Sequence, residues 1–193
     1  MSPAPEYPTL EFKTQKAYET WLAKNHAKVP GVWIKLAKKG SGVKSITYAE
    51  AVEASLCYGW IDGQSKSIDD TAWQQKYTPR GRRSIWSKVN IGKVEALIKA
   101  GRMQPAGLAA VEAAKKDGRW AAAYEPPSKA GVPPDLQAAL DASPKAKAFF
   151  ATLNSTNRYA ILFRTQTAKK PETRAKRIKQ FVEMLEKGEK LYP

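Results

Sequence analysis

The stretch Tyr124–Pro134 holds four prolines, a glycine and a serine. Proline fixes φ and removes a backbone donor, so neither a helix nor a central strand can run through such a segment. Before it, the hydrophobic pattern switches between helix and strand periods; after it, the pattern is helical throughout. The chain is therefore predicted to be α+β: a small antiparallel sheet packed on helices, followed by an all-helical C-terminal region. The predicted divisions are a flexible N-terminal arm over residues 1–11, an α+β domain over 12–123, a proline-rich linker over 124–134 and a helical C-terminal domain over 135–193.

Local signals place the elements. Thr14 is a cap for a helix from Gln15 to Lys28, with Tyr18, Trp21 and Leu22 on one face. After Pro30-Gly31, Val32, Ile34 and Leu36 alternate with Trp33, Lys35 and Ala37, the period of a strand. Thr47-Tyr48-Ala49-Glu50 has capping-box spacing, and Gly59 is the expected stop of that helix. Two extended runs, about Trp60 to Ile68 and Ala72 to Thr78, flank Asp69-Asp70 and predict a hairpin. Ser87 caps a helix to Ala100, and Pro105 opens another that ends at Gly118. Beyond the linker, helices are expected over Asp135–Ala142, Pro144–Leu153, Thr156–Ala168 (capped by Ser155) and from Pro171 to Gly188.

Charge limits the partners. The sequence has 33 Lys and Arg against 18 Asp and Glu, a formal net charge of +15. A field of that sign favours an anionic small molecule, an acidic protein surface or, as a second class, nucleic acid. The single cysteine, Cys57, excludes an internal disulfide. With one cysteine and one histidine, His26, a zinc site and a Ser-His-Asp triad have almost no residues to draw on, and neither a metal nor a cofactor is expected. The first ten residues lack the apolar run of a signal peptide, and no stretch is apolar enough to span a membrane. The expected compartment is the cytoplasm.

Two runs stand out as the lining of a site: Gly59-Trp60-Ile61-Asp62-Gly63-Gln64, and Thr78-Pro79-Arg80-Gly81-Arg82-Arg83-Ser84-Ile85-Trp86-Ser87. Both mix tryptophan with glycine and charge, and the second adds hydroxyls. Guanidinium forks on Arg80, Arg82 and Arg83, hydroxyls on Ser84 and Ser87 and the free amides of a helix start suit a phosphate or carboxylate. Trp60 and Trp86 would supply stacking surface, and Gln64 a polar contact. Asp62 has three readings: a structural pair with Arg80 or Arg83, a ligand contact, or the acid/base of an enzyme acting on an anionic small molecule. Against all of these stands the plain alternative that the tryptophans are core and the arginines solvated. A second basic set, Lys169, Lys170, Arg174 and Arg177, is either a solvated helix face or a polyanion-binding surface.

The run from Thr47 to Gln64 resembles the YdeI/OmpD-associated family, also described as bacteriocin-protection proteins. Tyr77-Thr78-Pro79-Arg80, Ser84–Asn90, Gly101–Gly107 and Ala168–Arg174 resemble it too, and the likeness runs from about Phe12 to Gly188. The resemblance implies a bacterial protein connected with tolerance of bacteriocins or cationic antimicrobial peptides. It implies no reaction and no catalytic residues. The resulting expectation is a binding protein for an anionic ligand or partner, leaning away from catalysis.

Overall fold

Thr14 caps the first helix, α1 (Gln15–Asn25): its side-chain oxygen accepts from the Ala17 amide at 3.2 Å, and Tyr18 and Leu22 point into the core. Helix α2 (Tyr48–Cys57) starts with the full capping box. The Thr47 amide donates to Glu50 Oε2 at 2.8 Å and the Glu50 amide to Thr47 Oγ1 at 3.3 Å. Those bonds hold the Glu50 carboxyl below its ordinary range. Gly59, at φ +73°, turns the chain out of α2 into strand β3 (Trp60–Ser67). A turn at Asp69 leads into β4 (Ala72–Pro79); there Asp69 Oδ1 accepts from the amides of Thr71 and Ala72. Ser87 caps α3 (Lys88–Lys99), and Pro105 opens α4 (Pro105–Lys116).

In this computed structural model, which describes residues 6–193, strands β1 (Thr9–Glu11) and β2 (Val32–Ala37) join the hairpin in a four-stranded sheet of order β1-β2-β4-β3. The hairpin of β3 and β4 lies antiparallel beside β2, as the sequence predicts. The sheet is mixed, however, because β1 pairs parallel to β2. Those residues belong to the segment read as a flexible arm, of which residues 1–5 lie outside the described residues. The rest is tied down by the Trp33 amide donating to the Pro8 carbonyl at 2.9 Å and by Leu10 packing on the core. Three prolines in ten residues masked so short a strand.

Residues opposite one another in a ladder share a face. Val32 with Tyr77, Ile34 with Gln75 and Leu36 with Trp73 form the face that packs on the helices. Trp33 with Lys76 and Lys35 with Gln74 form the other face, joined by Thr9 and Glu11 from β1 and Lys66 from β3.

The described chain divides into two units, one up to Ala123 and one over Tyr124–Pro193. All six tryptophans fall in the first. The second is built from α5 (Pro134–Asp141), α6 (Pro144–Thr152), α7 (Ser155–Gln166) and α8 (Pro171–Glu186) around its own core, which includes Leu136, Phe150, Ile161, Phe181 and Leu185. Asn154, rather than Ser155, caps α7, its side chain accepting from the Asn157 amide at 2.9 Å. The proline-rich stretch read as a linker packs within this second unit. Ala130 and Val132 lie against its core, Tyr159 Oη donates to the Glu125 carbonyl at 3.1 Å, and Tyr124 meets Phe163 edge-on at 5.0 Å. An extended proline-rich chain needs no ladder of its own and can lie across helices.

Candidate anion-binding surface

The hairpin brings the two tryptophan-containing runs side by side. Trp60 pairs with Pro79, Ile61 with Thr78 and Asp62 with Tyr77, and the Arg80 amide donates to the Gly59 carbonyl at 2.9 Å. The juxtaposition expected from sequence is present, but the tryptophans serve another purpose. Trp60 is 1% exposed, stands edge-on to Trp21 at 6.0 Å, and donates from Nε1 to the His26 carbonyl at 3.1 Å. Trp86 is 2% exposed and packs on Trp120 at 4.9 Å. Both are core residues, so neither offers a ligand a stacking face.

The remaining residues of the two runs divide by what they touch. Arg80 lays its guanidinium 3.5 Å from the centre of the Trp86 ring and donates from Nη1 to the Ile85 carbonyl at 3.2 Å. That closes the loop after β4 on itself. Ser84 Oγ accepts from the Gly81 amide at 3.0 Å, and buried Ser87 accepts from the Asn90 amide at 3.1 Å. Both hydroxyls expected to meet an anion thus shape the loop and start α3. Asp62 sits beside a bulge in β3 and accepts from Tyr48 Oη at 2.8 Å, a tyrosine where one of its three sequence readings has Arg80 or Arg83. Gln64 accepts from Lys76 Nζ at 3.1 Å.

Arg82 and Arg83 differ from the other candidates. Both are exposed, and among the described residues neither makes a hydrogen bond or an ion pair. The loop that presents them is fixed from below by Arg119, which sequence reading passed over. Arg119 is 9% exposed, donates from Nη1 to the Ser84 carbonyl at 3.0 Å and is itself held by Asp117, 2.8 Å from Nε. A lone arginine between Gly118 and Trp120 carries no pattern that would have flagged it; its spacing from Asp117 is the only hint. A second missed cluster joins α1, α2 and the turn after α3: Arg102 bonds Glu19 at 2.9 Å and Glu53 at 3.3 Å, and Lys93 adds to Glu53 at 3.6 Å.

The C-terminal basic set resolves into helix staples. Arg174 donates from Nη1 to the Thr165 carbonyl at 2.7 Å and from Nη2 to Asp135 at 2.8 Å; Arg177 donates to the Arg164 carbonyl at 2.6 Å. Both guanidinium groups thus bond carbonyls in the last turn of α7, where the helix ladder runs out, although the Thr165 carbonyl also accepts from the Ala168 amide at 3.3 Å. Lys169 and Lys170 remain exposed beside them. Two clefts lie in this unit, and Arg174 lines the second of them beside Asp135. One of about 580 Å³ is walled by Tyr159, Phe163, Arg164 and Tyr192; one of about 680 Å³ runs along Ala139, Ile178 and Val182.

Among the described residues no three His, Cys, Asp or Glu side chains gather as a metal site, and no helix is long and apolar enough to cross a membrane. Fold and surface together define a two-unit α+β protein, a sheet-and-helix unit followed by a helical one. Residues 10–110, just over half of the chain, match the family described as a domain of unknown function (DUF8412), and the chain belongs to that family. Residues 129–188 match the family described as bacteriocin-protection, YdeI or OmpD-associated. The resemblance read from sequence is therefore present but narrower than its motifs imply: those from Thr47 to Gly107 fall inside the other match, and the family likeness resides in the helical unit. No curated protein and no solved structure matches the chain.

Proposed function

We propose that the first unit binds an anionic partner at the loop carrying Arg82 and Arg83, and that the chain contributes to bacteriocin tolerance through this binding. The observation that carries the reading is the contrast among arginines. Arg102, Arg119 and Arg174 are each paired with a carboxylate, whereas Arg82 and Arg83 are held out on a loop braced by Arg80 and Arg119 and have no internal partner among the described residues. A braced loop presents two planar forks at little entropic cost, the arrangement suited to carboxylate or phosphate oxygens. The tolerance role rests on the match of residues 129–188.

The test is an Arg82→Gln/Arg83→Gln variant of the full chain, titrated with heparin across a salt series. The reading expects at least a tenfold loss of affinity at low salt and a log K against log salt slope shallower by about 2. Both side chains are exposed, so the melting temperature should stay within a degree or two of the parent. Unchanged affinity and slope would remove the loop from recognition.

A further inference from the structure

The sheet face turned away from the helices has a composition that the fold alone does not require. Trp33 stands in its middle on β2, with Lys76 opposite on β4 and Thr9 beside it on β1. Lys66 Nζ lies 4.9 Å from the centre of the Trp33 ring and Lys76 Nζ 5.5 Å from it; Lys76 is also 5.4 Å from the ring of Tyr7. Trp33 is only 8% exposed, its ring lying beneath these two lysines. Glu11, the acid on this face, is bonded to Lys35 at 2.9 Å. Neither Lys66 nor Lys76 has a carboxylate partner among the described residues. Around them lie amides: Gln64 accepts from Lys76, and Gln74 accepts from Thr9 at 3.1 Å.

We propose that this face is a platform for single-stranded nucleic acid. Phosphates draw the ammonium groups of Lys66 and Lys76 off the indole, and a base stacks on the Trp33 ring that they uncover. An exposed ammonium gains little from an aromatic face and more from a charged phosphate oxygen, so the exchange runs toward the phosphate. The combination of lysines over an aromatic ring is what singles out a nucleic acid. An acidic protein surface would use the lysines alone, whereas a strand with splayed bases uses both, since every base has a π-face. Duplex DNA keeps its bases stacked inside and cannot reach the ring. The proposal goes beyond the loop reading and stands on different residues.

The experiment compares a labelled oligothymidylate with an abasic oligomer of equal length, which has the same phosphates and no bases. Anisotropy titrations of the full chain should show the thymidylate bound at least about tenfold tighter. Lys66→Gln/Lys76→Gln, changed at two lysines without carboxylate partners, should weaken thymidylate binding at least tenfold. Trp33→Leu should abolish the difference between the two oligomers and leave the abasic affinity in place. Should the Trp33 variant lose its cooperative melt, the lysine variant and the oligomer comparison decide the matter. Equal affinity for the two oligomers in the parent protein overturns the platform, and so does undiminished thymidylate binding by the lysine variant. In either case the loop reading survives as long as heparin binding still depends on Arg82 and Arg83. Failure of heparin and both oligomers to bind overturns both.

Discussion

Cys57 and Gly107 meet at a close approach between α2 and α4. Buried at the end of α2, Cys57 has its thiol pushed up to about 11 by burial, so almost none of it is thiolate near neutrality. Native protein should therefore resist iodoacetamide for hours and be alkylated within minutes in guanidinium; mass spectrometry reads both states. Gly107 faces the same residue. A side-chain carbon there would fall 2.2 Å from the Cys57 carbonyl oxygen, far inside contact distance and against backbone that cannot yield. Gly107→Ala should cost about 1–3 kcal/mol or more, seen as a lower urea midpoint at unchanged slope. Gly59 is constrained twice, by φ +73° and by the Ala106 carbonyl 2.8 Å from where its Cβ would sit. These two glycines explain why a motif such as Gly101–Gly107 reads as special in sequence: it encodes helix contact as much as any site.

Among the elements, the pairing of α5, α7 and α8 carries an acid-sensitive contact. Its key ion pair is Arg174 with Asp135, whose carboxyl is held below the usual range chiefly by the hydrogen bond from Arg174. A depressed carboxyl contributes stability that is complete above its unfolded pKa, about 3.9, and lost as pH falls through its folded value. Asp135→Asn should accordingly lower the melting temperature at pH 7, and the gap from the parent should close below about pH 4. Thr47→Ala, at the start of α2, should cost about 1 kcal/mol at neutral pH, measured by urea denaturation. That helix start was legible in sequence because its partners are three residues apart, and the same holds for Ser87 and for the hairpin about Asp69. What escaped reading depends on distant segments. Strand β1 exists because β2 offers it an edge, the loop of Arg82 is braced by Arg119, and Arg174 and Arg177 close a helix that ends before their own begins. Nor does sequence tell a tryptophan that lines a site from one that fills a core; burial made that distinction for Trp60 and Trp86.

For the whole molecule, the separation of two cores means that each unit is stabilised by its own contacts. A fragment over residues 124–193 should fold alone, since domains of about 55–65 residues do so, and its far-ultraviolet circular dichroism should be strongly helical. A featureless spectrum from that fragment would show that the second core needs the rest of the chain. The excess of positive charge is distributed over both units, but the surfaces argued to use it, the Arg82–Arg83 loop and the Trp33 face, belong to the first. The placement of every tryptophan before Ala123 then has an optical consequence. Excitation near 295 nm reports on one unit alone, while the helical far-ultraviolet signal draws on both. The chain thus carries a built-in label for the half that is proposed to bind. Any difference between the two unfolding curves is a direct readout of how independently the halves melt.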